Sequence, residues 1–207
     1  MHEVDMSPHV ISLMGINADP RAVDQNGSKI GTGLMLEKAT EGSAYDVLHP
    51  QGGTPPPSWD LRVNLLLDAA RGMVALHSHK PKPILHRDIK SLNVLVTKVR
   101  LAGSEQYVAK IADFGTSRVV DLERTMETAG TPMFMAPELL RKERSDEKVD
   151  VWSFACVLEC LWTHKPVYAA EFEARERESG VADSLLGLIQ RDQLRTTVGA
   201  GSLLGRH

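Results

Sequence analysis

One short stretch carries most of the chemistry in this sequence: Ile84-Leu85-His86-Arg87-Asp88-Ile89-Lys90-Ser91-Leu92-Asn93-Val94-Leu95-Val96. It sets a carboxylate, a cation and a carboxamide in a loop between two apolar runs. The carboxylate of Asp88 can accept a proton from an attacking hydroxyl. Lys90 can face a transferring phosphoryl group, and Asn93 offers a neutral oxygen ligand to a hard cation such as Mg²⁺. Any one of these residues alone would be uninformative. What matters is their grouping, with Asp113-Phe114-Gly115 and Ala136-Pro137-Glu138 following in order.

An H-R-D triplet followed after four residues by N is the pattern of the protein-kinase catalytic loop. With the two later motifs in the same order, the chain resembles a protein kinase. The resemblance implies an α+β, protein-kinase-like fold, with a mostly helical large lobe and a remnant of the β small lobe. Residues 1–36 would be a partial small lobe of two strands, 37–40 the hinge, and 41–207 the large lobe. It further implies ATP-dependent phosphoryl transfer to serine or threonine hydroxyls of a protein substrate, with ATP and Mg²⁺ as cofactors. Asp88 would be the base, Lys90 its cationic neighbour, and Asn93 and Asp113 the Mg²⁺ ligands. Adenine would lie against the carbonyl of Glu37 and the amide and carbonyl of Ala39, with Leu95 beneath it and Leu36 guarding the pocket behind.

Residue class follows from the same resemblance. Thr131, in Gly130-Thr131-Pro132, is similar to the threonine that bonds the catalytic aspartate and lysine in serine/threonine kinases, and Lys90 fits that class. Ser91 and the Ser-x-Asn spacing resemble the tyrosine-kinase-like group, whose members mostly phosphorylate serine and threonine. Arg87 would receive an anion from the activation segment, 116–135. Thr125 and Thr128 are candidate phosphosites there, and Glu127 is a carboxylate that gives partial order without modification.

The elements that must position these residues are legible in outline. His9 to Gly15 reads as a buried strand and Ile30 to Leu36 as a second. Gly31-Thr32-Gly33 looks like the start of a phosphate loop, but Leu36 stands where a third glycine would, and no helix follows. Ser58 is a suitable N-cap for an amphipathic helix on which Leu61, Leu65, Ala69, Met73 and Leu76 recur at helical spacing. His77 and His79 at its end read as surface residues. Val94–Val96 and Val108–Ile111 read as a strand pair joined by a loop over 100–106. Lys148 to Leu161 is a buried helix by pattern, with Asp150 expected to accept backbone amides of the catalytic loop. Glu171/Arg175 and Glu173/Arg177 pair acid and base at i,i+4 on a further short helix.

Composition narrows the class. The 207 residues are 42% hydrophobic and 25% charged, as in an ordinary globular domain. A net charge of −3 leaves no electrostatic footprint for nucleic acid. Cys156 and Cys160, one helical turn apart in an apolar stretch, read as buried reduced thiols. The apolar run from Val149 to Trp162 holds Asp150 and Glu159 and is too short to cross a bilayer. The expectation is a cytoplasmic or nuclear protein without a membrane segment.

The 207 residues hold no glycine-rich loop, no Val-Ala-x-Lys strand and no evident acidic partner for such a lysine. Glu138 likewise lacks the arginine that pairs with it in the family. The chain is therefore expected to show little phosphotransfer by itself. The alternative is a non-catalytic kinase-fold interaction module.

Overall fold

A computed structural model describes residues 7–29, 31–50, 52, 55, 57–101, 103–119, 131–163, 165, 167–168, 187 and 189. The chain enters through strand β1 (Leu13–Asn17) and β2 (Gly33–Leu36), followed by the short helix α1 (Ala44–Leu48) and the long helix α2 (Trp59–His77). A short strand β3 (Ile84–Leu85) leads into the loop His86–Asn93. Beyond it come the hairpin strands β4 (Val94–Leu101) and β5 (Ser104–Ile111), and β6 (Arg118–Val119). Helices α3 (Pro137–Leu140) and α4 (Lys148–Thr163) follow. The strands form three two-stranded antiparallel pairs, β1–β2, β3–β6 and β4–β5.

Helix α2 forms where its pattern places it. The Ser58 side chain accepts from the Leu61 amide, satisfying one of the orphan donors at the helix start. Leu65, Ala69, Met73 and Leu76 fall on one stripe and are buried together with Val94, Val96, Ala109, Ile111, Val157 and Leu161. Gly72 lies on the same stripe because the entering chain crosses there. A Cβ at Gly72 would sit 2.4 Å from the His9 carbonyl oxygen, so a side chain would force the entering chain and the helix apart. Helix α4 completes this core and carries Val149 and Cys156 into two smaller clusters, with Leu85 and Tyr168 respectively.

Three expectations change. The first strand is not the buried run His9–Gly15. Val10 and Ile11 are buried beside Ile111, Val10 through a single parallel bridge, whereas β1 begins at Leu13 and alternates between half-buried and exposed. Apolar composition marked the segment, but burial depends on what packs over it, and only Val10 and Ile11 have that cover. The second strand is likewise shorter, and every residue of β2 is exposed. Third, no loop spans 100–106. The hairpin pairs Leu101 with Ser104, closing on a tight turn in which Gly103 has a φ of 84°. Polar residues such as Lys98, Glu105 and Gln106 hid those strands, because the ladder is held by backbone bonds and needs no apolar side chains at its open end. The expected helix of 171–177 lies outside the described residues.

Candidate active site

The loop His86–Asn93 is suspended from helix α4. Asp150 is fully buried, and its two carboxylate oxygens accept the amides of His86 (2.8 Å) and Arg87 (2.7 Å). Backbone amides held this way give the loop a fixed shape that its own sequence would not enforce. Arg87 sits at φ 69°, a conformation an arginine adopts only when its surroundings impose it. His77 also reaches Asp150, with its Nε2 2.9 Å from Oδ2. It is thus a partly buried ligand of that carboxylate rather than the surface residue its position suggested. A helix-end histidine looks solvated until the fold brings a carboxylate 73 positions away against it.

His86 is itself buried, with its Nε2 2.9 Å from the Ala112 carbonyl and its Nδ1 3.3 Å from the Asp88 amide. That network assigns the proton to Nε2, leaving Nδ1 to accept. Burial pushes the imidazole below its ordinary pKa, so it stays neutral and acts as a spacer between the loop and the strand leading to Asp113.

Asp88 is the most heavily bonded group of the loop. Its Oδ2 accepts from Lys90 Nζ (2.7 Å) and Asn93 Nδ2 (3.0 Å), and its Oδ1 accepts from the Thr131 amide (2.8 Å). Lys90 Nζ also lies 2.7 Å from Thr131 Oγ1, closing a circuit of Asp88, Lys90 and Thr131 across 43 positions. Burial by itself would raise the Asp88 carboxyl. The bonds from Lys90 and Thr131 outweigh it and hold the group below the usual carboxylate range.

The residues suited to a cation lie beside this circuit. Asn93 spends its Nδ2 on Asp88, through both the main-chain carbonyl (2.9 Å) and Oδ2, so its amide oxygen is the atom left to coordinate. Its own carbonyl accepts the Ala112 amide (2.9 Å), which anchors the next residue, Asp113, to the same loop. Asp113 is exposed, at φ 67°, and among the described residues only one of its oxygens accepts a bond, from the Gly115 amide. Two such oxygen donors suit Mg²⁺, which keeps several waters and takes one or two protein ligands beside substrate phosphates. Among the described residues no cluster of three or more His, Cys, Asp or Glu could hold a metal ion without such help.

The expected adenine site is also traceable. Glu37 and Ala39 lie just beyond β2, and the Glu37 carbonyl and the Ala39 amide and carbonyl engage no described residue, while Leu95 is half-buried. The Glu37 side chain has a role that the sequence did not suggest. It takes a two-pronged contact from Lys110 Nζ (2.7 and 2.9 Å) and accepts the Ser12 amide (2.9 Å). The available signal was Lys110 itself, a charge inside the apolar strand Val108–Ile111, which requires a partner. Arg87 is placed as described. Thr125, Glu127 and Thr128 lie outside the described residues. Glu138 is half-buried at the start of α3.

A family model of the protein kinase domain matches residues 1–197. A probable serine/threonine-protein kinase of Dictyostelium discoideum, drkA, is 40% identical over 136 residues, covering 65% of this chain and 20% of that protein. The serine/threonine-protein kinase CTR1 of Arabidopsis thaliana is 37% identical over 153 residues, covering 73% of this chain and 17% of that protein. Mitogen-activated protein kinase kinase kinase 12 of Rattus norvegicus is 42% identical over 137 residues, covering 65% and 14%. The matched stretch spans a fifth or less of each of these three relatives. No helix among the described residues is long and apolar enough to cross a membrane. With the family model covering nearly all of its length, this chain belongs to the protein kinase domain family.

Proposed function

We propose that this site transfers the γ-phosphoryl group of ATP to serine and threonine hydroxyls of a protein substrate. The observation that carries the reading is the closed circuit of Asp88, Lys90 and Thr131. It presents one carboxylate and one ammonium to the same small volume and ties both to the segment on which a protein substrate would lie. ATP with Mg²⁺ would supply the phosphoryl group and a metal that offsets its charge.

Asp88 orients the acceptor hydroxyl and takes its proton. A carboxylate held this acidic is a weak base, so its first contribution is alignment, and the proton moves as the hydroxyl oxygen becomes acidic in the transition state. Lys90 keeps Asp88 ionised and faces the developing negative charge. Asn93 and Asp113 present the oxygen donors for the metal, and the backbone of Glu37 and Ala39 over Leu95 presents the adenine site. Arg87 would take an anion, either a phosphate carried by Thr125 or Thr128 or the carboxylate of Glu127. A cytoplasmic or nuclear location belongs to the same proposal.

Radiolabelled ATP with generic protein substrates tests the reading. Turnover of the 207-residue chain is expected below the family range of about 1–100 s⁻¹, since these residues include no Val-Ala-x-Lys strand to hold the phosphates. What label is transferred should appear on serine and threonine, and predominant phosphotyrosine would overturn the acceptor class. Asp88→Asn should lower turnover by about 10²–10⁴ with nucleotide affinity nearly unchanged, whereas Asp113→Asn should abolish Mg²⁺-dependent nucleotide binding. Identical behaviour of the two variants would sink the division of roles, and absence of both transfer and nucleotide binding would favour an interaction module.

A further inference from the structure

Lys110 is a cation on a strand whose neighbours Ala109 and Ile111 are wholly buried. In the β4–β5 ladder it lies opposite Leu95, and directly opposed residues of an antiparallel pair send their side chains to the same face. Val94, Val96, Ala109 and Ile111 fill the other face and enter the core with α2. Lys110 therefore rises on the face of Leu95, the floor of the expected adenine site, and reaches Glu37 just beyond β2.

Glu37 is held from two sides. Lys110 Nζ meets both of its carboxylate oxygens (2.7 and 2.9 Å). The entering chain supplies the rest: the Ser12 amide donates to Oε1 (2.9 Å), and the Glu37 amide donates to the Ser12 carbonyl (3.0 Å). The side chains of Lys110 and Glu37 are only 15% and 25% exposed, so salt screens this pair less than one in open solvent. The far end of the same segment is fastened to β4. The Lys98 amide donates to Thr40 Oγ1 (2.9 Å), the Glu41 amide to the Val96 carbonyl (3.0 Å), and the Val96 amide to the Gly42 carbonyl (2.8 Å). With its own amide and carboxylate tied, and the chain tied again at Thr40, the Glu37 carbonyl has little room to turn.

We propose, on the basis of the adenine site proposed above and resting on it, that Lys110 is a positioning residue for the nucleotide: acting through Glu37, it fixes the carbonyl that meets the purine ring and so favours adenine over guanine. A carbonyl accepts a hydrogen bond and repels another acceptor. Adenine carries an amino group on its larger ring where guanine carries an oxygen, so a fixed carbonyl attracts the first and rejects the second. Released from its side-chain anchor, the carbonyl turns aside and loses both effects, which narrows the preference. The Ser12 pairing survives without Lys110, but it ties Glu37 only to the entering chain and not to the hairpin that carries Leu95.

The test displaces a fluorescent ribose-labelled ATP from the full 207-residue chain, with Mg²⁺ present, using unlabelled ATP or GTP. The parent should prefer ATP, and in Lys110→Met that preference should shrink about tenfold, the worth of one hydrogen bond. Lys110→Arg restores a two-pronged contact and should recover most of it. Glu37→Gln keeps an acceptor for the Ser12 amide but removes the charge that Lys110 holds. It should narrow the preference in the same direction, which keeps the proposal open to refutation if the methionine variant fails to fold. Combining the two changes should cost no more than Lys110→Met alone. A merely structural role for the pair would weaken ATP and GTP alike, and an unchanged ratio overturns the proposal, as does an arginine variant no better than methionine. A parent that binds ATP and GTP equally would overturn it while leaving nucleotide binding intact. A parent that binds no labelled ATP removes the adenine site itself, and the role of Lys110 with it.

Discussion

Replacing Asp150 with alanine tests whether the catalytic loop is held from α4. Two of the three donors that Asp150 accepts, the amides of His86 and Arg87, belong to residues that are almost wholly inaccessible. A buried donor left without a partner costs about 1–3 kcal/mol, so the pair costs about 2–6 kcal/mol. His77 adds little, because its ring is partly exposed and can turn to water. Against a total stability of about 5–15 kcal/mol, this is a large fraction. With a urea slope of about 2 kcal/mol/M, a loss of 4 kcal/mol moves the denaturation midpoint down by about 2 M. Asp150→Asn keeps one acceptor oxygen and should lose about half as much, and His77→Ala about 0.5–1.5 kcal/mol. Urea titrations of the three variants, with amide exchange at His86 and Arg87, decide the matter. An alanine variant within about 0.5 kcal/mol of the parent, or an asparagine variant as unstable as the alanine one, would refute the assignment of Asp150 as the loop's anchor.

Other consequences follow from the buried titratable groups. Burial holds His86 below its ordinary pKa, so the unfolded chain binds a proton that the folded chain refuses. Its contribution to stability therefore falls as pH drops through about 6.5, and His86→Gln should flatten the fall in urea midpoint between pH 7 and 5. An unchanged slope would show that another group is responsible. Asp88 acts lower on the scale: its stabilisation is present above about pH 3.9 and is lost as pH falls through the depressed folded value. Burial raises the Cys156 thiol to about 12 and the Cys160 thiol to about 11. Cys156 is buried as expected, whereas Cys160 is only half-buried, because it stands one turn farther along α4, at the margin of the cluster around Tyr168. Iodoacetamide at pH 8 should therefore modify both at least about a hundredfold more slowly in the folded chain than in urea, and equal rates would contradict this placement.

The amino-acid sequence by itself determined which candidate residues are present and in what order. Asp88, Lys90 and Asn93 stand out because they sit at short spacings, and Asp113 because it opens Asp113-Phe114-Gly115; local spacing is a property of the chain alone. Helix α2 and the core helix α4 were legible for a related reason, since a period of 3.6 residues records burial of one face wherever the partner comes from. The outer half of the β4–β5 hairpin was not, because backbone pairing leaves no mark on a run of polar side chains. Only the tertiary structure brought Thr131 onto Lys90, Lys110 onto Glu37, and both His77 and the loop amides onto Asp150. Each of these contacts joins residues 41 to 73 positions apart. A charged or polar residue announces in sequence that it needs a partner, but which partner it receives depends on how the helices and strands pack.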